Sequence, residues 1–410
     1  MNVIWITNIL LPPASEAFNM PRQAVGGWMY SSLKRVKATF DGNITVATVY
    51  PGKQLLEKEI DGIRYFLLPL KGKAATAYNV HLEELWRKVA DAVKPDVVHI
   101  HGSEYPHGLA YVNTCGAKNT VVSIQGIISC IARYYLAAIP TNALRRNTFR
   151  DTLLCDGILD QKKAFEARGK YEIDLLKKVD HVIGRTDWDK AHSLAINPQA
   201  QYHYCGETLR DAFYKHIWTY DGCEPHSIFV SQAAYPIKGL HMLLKALPQI
   251  LRKYPDAMVH VAGTDPTTLP FWRITGYGKF LKTLIKKLEI REHIRFMGML
   301  DEEAMCRQYL KSNIFVCCSS IENSSNSLGE AQLLRMPYVV SFVGGNPEIV
   351  EYHPDALYRF EEVEMLAERI CAIFQAGEHF QAFPFDENRY SGDLNSNRLI
   401  SIYQKISNFR

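Results

Sequence analysis

No stretch of this chain approaches the roughly 18 consecutive apolar residues that a membrane-spanning helix needs, so a transmembrane helix is not expected. The opening residues Met1-Asn2-Val3-Ile4-Trp5-Ile6 lack the basic region and small-residue cleavage site of a secretory leader, which predicts a cytoplasmic location. Cysteine is present nine times, an odd number, and never as C-x-x-C. That spacing argues against a disulfide framework or a zinc site and for buried thiols in a reducing compartment; Cys317-Cys318, inside an apolar run, is expected to pack rather than react. The sequence also lacks an internal repeat, a low-complexity segment and a G-x-G-x-x-G fingerprint.

What it has is material for two well-packed domains: 410 residues, more than one core usually supports, with 47% apolar and 22% charged residues. The net charge of +4 is uneven, with 27 Lys and Arg against 21 Asp and Glu through residue 215 (+6), and 20 against 22 after it (−2). A basic first half suits an anionic membrane surface or a phosphorylated acceptor, although solvated helices account for such an excess equally well.

The stretch Ser319 to Ala331 organises the reading. It follows the apolar run Ile314 to Cys318, read as a buried strand, and leads into Leu328 to Met336, read as a helix stopped by Pro337. Such strand-to-helix crossovers are where open α/β sheets bind ligands. Glu322 and Glu330 stand at its ends with seven residues between them, and Asn323, Ser324, Ser325, Asn326 and Ser327 fill most of the interior. A carboxylate can hold a pair of sugar hydroxyls in bidentate fashion, and a nucleotide sugar offers one such diol at each end. Glu330 as a helix-dipole partner and Glu322 as a solvated loop residue is the plainer alternative.

Read in order, the chain alternates strands and helices. Strands are predicted at Val3 to Thr7, Ile44 to Val49, Ile63 to Leu68, Val97 to His101, Thr120 to Gln125 and His181 to Thr186, with helices at Trp28 to Lys37 and Leu82 to Val93. This alternation implies a parallel sheet covered on both faces. A long Pro-, Ala- and Ser-rich loop, Leu10 to Gly27, ends in Gly26-Gly27, where backbone could approach a phosphate or sugar. Polar groups gather at strand ends: His99, His101 to Glu104, Gln125-Gly126 and Arg185-Thr186-Asp187. The apolar, aromatic stretch Ile127 to Arg150 is either a surface for a lipid-linked acceptor or a packed helix ended at Pro140.

A second α/β unit starts near Ser227 with the strand Ile228 to Ser231. Lys238-Gly239 then opens a helix with Leu240, Leu243, Leu244, Leu247 and Leu251 on one face. A lysine at a helix start has the wrong sign for the macrodipole and suggests an anion nearby, such as a diphosphate. Further strands at Met258 to Ala262 and Ile294 to Gly298 end in Gly263 and Gly298, where backbone could meet a base or ribose. Lys279 to Leu288 reads as a basic helix, Tyr338 to Phe342 as a strand before Gly344-Gly345-Asn346-Pro347-Glu348, and Arg389 to Arg410 as a closing helix.

A Lys-Gly helix start, a Gly-terminated strand, a Phe-Met-Gly strand, an E-x7-E crossover and a Gly-Gly-x-Pro-Glu turn, in that order, resemble the C-terminal half of glycosyltransferase family 4. The resemblance covers 227–350, and extends loosely to the N-terminal half through Gly26-Gly27 and the strand ending at His101. It implies the α/β GT-B fold, two Rossmann-like parallel-sheet domains facing across a cleft. The expected domains are 1–215, binding acceptor, with a helix of about 388–410 packing back on it, and 224–385, binding the nucleotide-sugar donor. It further implies a retaining, metal-independent transfer of a sugar to a glycan or lipid-linked acceptor in surface polysaccharide assembly, with no cofactor, peripheral contact at the inner face of the membrane as an option, and no nucleic-acid partner.

By the same resemblance Glu330 holds the donor ribose, Glu322 the donor hexose near the reacting carbon, Lys238 the diphosphate, and Gly298 the base. Gly26 and Gly27 meet the donor phosphate or sugar, and His101 lies beside the acceptor. The sequence departs from the family at Gln232 and Ala233, where an arginine is usual, at Gln125 in place of a histidine, and at Asn323-Ser324-Ser325 in place of Gly-Phe-Gly. Arg185 and Arg210 are both candidates for the missing phosphate cation. A nucleotide-sugar 2-epimerase and a non-catalytic nucleotide-sugar binder are the alternatives on the same fold.

Overall fold

The computed structural model describes residues 1–21, 26–70 and 76–408. The chain divides into two compact units: 1–131, 164–209 and 386–410 form the first, and 132–163 with 210–385 the second. The segment 132–163, expected with the first domain, thus clusters with the second. The reason is local: it packs on the Gly276–Leu288 helix, where Asp151 Oδ2 lies 2.8 Å from the position a Cβ would take on Gly276.

The first unit is built on eight strands: β1 (Asn2–Thr7), β2 (Asn43–Tyr50), β3 (Leu56–Ile60), β4 (Ile63–Pro69), β5 (Val97–His101), β6 (Thr120–Ser123), β7 (His181–Gly184) and β8 (Gln201–Tyr204). Their order is β3-β4-β2-β1-β5-β6-β7-β8, all neighbours parallel except the β3-β4 hairpin. Because both faces are covered, central strands are largely apolar and almost wholly buried; β1 sends Ile4 and Ile6 into one core and Val3 and Trp5 into the other. The two edge strands missing from the sequence reading are β3 and β8. Leu-Glu-Lys-Glu-Ile exposes its central residues and β8 is largely uncovered, so neither shows the apolar run of a buried strand. The Gly392–Asn408 helix closes this unit, burying Leu399, Ile402, Tyr403 and Ile406 from one face against Met29, Leu33 and Val36 of the Gly27–Thr39 helix and its neighbours. Within the expected loop Leu10 to Gly27, Pro12–Ala17 is helical, and 22–25 lie outside the described residues.

The second unit has six strands, β9 (Glu224–Val230), β10 (Met258–Val261), β11 (Ile294–Phe296), β12 (Ser312–Cys317), β13 (Tyr338–Ser341) and β14 (Leu357–Tyr358). Their order, β11-β10-β9-β12-β13-β14, is all parallel. The chain winds outward from β9 in one direction and, starting at β12, in the other, so the carboxyl ends of β9 and β12 border the switch point at which such sheets open a ligand crevice. All nine cysteines are free thiols, and Cys317 and Cys318 are buried. Among the described residues no helix is long and apolar enough to cross a membrane.

Candidate active site

The organising crossover lies at the switch point of the second unit. β12 ends at Cys317, Ser319 to Ser325 form the loop, and Ser325 caps the Asn326–Leu333 helix by accepting from the Leu328 N–H at 3.4 Å. Neighbouring turns hold the loop from two sides. The Ser320 N–H donates to the Ile237 carbonyl at 2.7 Å, and the Gly345 N–H to the Glu322 carbonyl at 3.0 Å. Both turns contain a glycine in the left-handed region that packs without clearance. A Cβ on Gly239 (φ 68°) would stand 1.7 Å from the Cys318 oxygen, and one on Gly344 (φ 54°) 1.7 Å from the Glu322 oxygen. Only glycine combines that backbone with that approach.

Two ion pairs result. Lys238, the last residue of a 3-10 turn (Pro236–Lys238), donates from Nζ to Glu322 Oε1 at 2.6 Å, and Ser319 Oγ donates to the same oxygen at 2.6 Å. Burial works against the Lys238 charge, but Glu322, with Tyr235 and Cys317 behind it, outweighs burial and holds its pKa above the ordinary lysine value. Glu330 lies one turn into the helix, buried, and accepts from Arg210 Nε at 2.6 Å and Nη2 at 2.7 Å, a bidentate pair. Burial raises the Glu330 pKa and the guanidinium opposes that rise. Arg210, which also stacks over Phe213 at 4.8 Å, is therefore committed to the carboxylate. Between the two pairs, Ser231 Oγ at the end of β9 donates to Ser327 Oγ at 2.8 Å. Asn323 is buried in the loop, and Ser324 and Asn326 are half-buried. Gly263 and Gly298 follow β10 and β11 and are joined by a Gly263 N–H to Gly298 carbonyl bond of 2.8 Å. Both have positive φ, and no atom lies within 4 Å of the place a Cβ would take on either. Their backbone faces open space.

The first unit gathers its predicted residues at its own switch point, between β1 and β5. Gly26 (φ 88°) precedes the Gly27–Thr39 helix, and a Cβ there would overlap Ile9. His101 is buried, its ring 4.2 Å from that of Trp5 and 3.7 Å from that of His99; burial, then the neighbouring His99 and Arg185, depress its pKa. His99 is structural, hydrogen-bonded to Tyr403 at 2.6 Å and Ser123 at 2.5 Å. Arg185 is buried and paired with Glu207 at 2.8 Å, so its charge too is matched within the protein. Gln125, half-buried, follows β6 with its Cγ 3.2 Å from the Cβ position of Gly102. Beside them stands Glu104, which accepts from Asn8 Nδ2 at 3.1 Å and whose carboxyl is pushed up to about 7 by burial. Glu104 was visible as a polar strand end; only the fold brings it, half-buried, against Asn8.

Residues 218–383, within the second unit, match the family model described as glycosyl transferases group 1. Among curated relatives, spore coat protein SA of Bacillus subtilis is 28% identical over 181 residues, 41% of this chain and 46% of that protein. A GDP-mannose-dependent monoacylated alpha-(1-6)-phosphatidylinositol monomannoside mannosyltransferase of Corynebacterium glutamicum is 25% identical over 146 residues, 34% of this chain and 35% of that protein. The chain thus spans about half or less of the length of these relatives. Among solved structures, sucrose-phosphate synthase of Thermosynechococcus elongatus covers 99% of this chain and 96% of its own, with a TM-score of 0.67 and 16% identity. At that identity the likeness is one of fold, the two-sheet GT-B architecture.

Proposed function

We propose that the protein is a retaining, metal-independent glycosyltransferase of the family 4 type, moving a sugar from a nucleotide-diphosphate sugar to a glycan or lipid-linked acceptor in surface polysaccharide assembly. The observation that carries the reading is the placement of two ion pairs, Lys238 with Glu322 and Arg210 with Glu330, on one switch-point crossover. A carboxylate has about four acceptor positions, and the guanidinium occupies two of those on Glu330, leaving one on each oxygen for a ribose diol. Arg210 orients that carboxylate. Lys238 exchanges its Glu322 partner for the diphosphate, its charge stabilising the departing nucleotide. Glu322, released, takes the donor hexose hydroxyls. The open backbone at Gly298 and Gly263 receives the base, and a leaving phosphate oxygen takes the acceptor proton. The C. glutamicum relative, whose name specifies a nucleotide-sugar donor and a lipid-linked acceptor, supports both substrate classes.

Calorimetry with UDP, GDP, ADP and CMP in EDTA tests the donor half. One diphosphate is expected to bind, and Glu330→Gln to weaken it about tenfold, as befits a charge-assisted hydrogen bond of roughly 1.5 kcal/mol. Unchanged affinity in that variant would refute the ribose role, and binding that appears only with added Mg²⁺ would refute the metal-independent mechanism.

A further inference from the structure

The segment 132–163 brings to the second unit a feature that the transferase site does not use. Its Phe149–Leu154 helix is firmly built: Thr148 and Asp151 form a reciprocal capping box, and Arg150 is paired with Asp156 at 2.6 Å. Yet this helix exposes Phe149 by 60% and Leu153 by 70%, one turn apart. Facing them, Phe271 is 69% exposed and Trp272 56%. The Phe149 and Phe271 rings lie 6.1 Å apart, and Phe271 is 5.0 Å from Trp272. Single exposed apolar residues are ordinary, but two aromatic groups from separate segments meeting in solvent mark an interaction surface.

The rim of this patch is cationic. Arg145, Arg146 and Arg273 are exposed next to it in sequence. Arg146 also lines an adjoining cavity of about 350 Å³, together with Lys245, Lys279 and Lys287, over a floor that includes Phe280 and Leu284. No carboxylate lines the cavity, and the helix along it, Gly276–Leu288, carries four lysines and no acid. None of these four lining cations has an ion-pair partner among the described residues. Lys245, half-buried, donates to the Met242 sulfur at 3.9 Å, and burial lowers its pKa against the attraction of Glu361. Unpaired cations around a partly apolar hollow, beside Phe and Trp held outward, match the chemistry of an anionic bilayer interface: phosphate headgroups for the cations, the acyl boundary for the rings.

We infer that this face of the second unit, the Phe149/Phe271/Trp272 patch with the Arg146/Lys279/Lys287 cavity, docks on an anionic lipid bilayer, a lipid phosphate entering the cavity. The inference is independent of the donor and acceptor assigned above, because it is read without either. Co-sedimentation of the full chain with vesicles of phosphatidylcholine, with and without phosphatidylglycerol, tests it. Binding is expected only with phosphatidylglycerol. It should fall about tenfold or more in Phe271→Ser/Trp272→Ser, and similarly in Lys279→Glu/Lys287→Glu, with the loss in the second pair shrinking as salt is raised. Both pairs are solvent-facing, and retained melting temperatures would show that they fold. Equal binding to both vesicles, or binding unchanged in either variant, overturns the inference. So does self-association in sedimentation velocity that Phe271→Ser/Trp272→Ser abolishes while vesicle binding persists. Full displacement by inorganic phosphate, with no effect of the aromatic variant, assigns the cavity to a soluble phosphate compound and also overturns it.

Discussion

Removing Arg210 is the most informative perturbation of the second unit. Glu330 is 4% exposed at its side chain and both of its oxygens receive the guanidinium, so Arg210→Ala strands a carboxylate in a place that water barely reaches. Breaking one side of such a pair costs about 3–5 kcal/mol. For a unit of this size that is a fall in melting temperature of roughly 6–20 °C. The sign of the pH dependence separates charge from packing. Burial already raises the Glu330 pKa, and loss of the cation raises it further. A carboxyl whose folded pKa lies above its unfolded value contributes its stability in full below the unfolded pKa and loses it as pH rises through the folded one. Arg210→Ala should therefore melt close to the native protein near the unfolded carboxyl pKa, and the gap should widen as pH rises and level off above the variant's raised carboxyl pKa. Adding Glu330→Gln should close most of that gap, since a neutral amide does not need a cation. Differential scanning calorimetry across this range is the assay. A gap that does not change with pH, or is not narrowed by the second substitution, would mean that the loss comes from the stacking of Arg210 on Phe213, and the charge argument would fail.

Two further outcomes follow from geometry elsewhere. Gly344→Ala should destabilise more than Gly263→Ala in thermal melts, because both have positive φ but only the first would drive a Cβ into the Glu322 carbonyl; equal losses would refute the close-approach argument. In the first unit, burial depresses the His99 pKa to about 3 and that of His107 to about 4. A base with a depressed folded pKa binds its proton first in the unfolded chain, so stability is lost as pH falls. Acidifying from neutrality to about pH 5 should cost about 2 kcal/mol for each such histidine, measurable by urea titration, and no change over that window would refute neutral burial.

The layers of the fold were legible in sequence because parallel strands buried on both faces are written as apolar runs. Central strands such as β1, β5, β12 and β13 were readable to within a residue or two. Edge strands were not: β3 is charged on its exposed face and β14 is two residues long. The crossover from Ser319 and the Lys238-Gly239 turn were legible as motifs, because spacing along one chain carries them. Their pairing was not. Arg210 lies 120 residues from Glu330, and nothing local distinguishes it from Arg185, whose partner turns out to be Glu207. The Ile127 to Arg150 stretch divides similarly. Ile127, Ile128, Tyr135 and Ile139 are core, while Tyr134 within it and Phe149 at its end are exposed. Composition could not separate the two because both are apolar.

The first unit is assembled from three separated lengths of chain, the last of which supplies the Gly392–Asn408 helix and the Tyr403 hydroxyl that holds His99. During synthesis, the strands of its sheet are all made by residue 204 and then wait while 210–385 of the second unit are made. Until that last helix leaves the ribosome, the groove over the Gly27–Thr39 helix stays uncovered, with Met29, Leu33 and Val36 lacking their partners. The nascent first unit is therefore a half-lidded layer, one apolar groove open to water for as long as it takes to translate the intervening sequence.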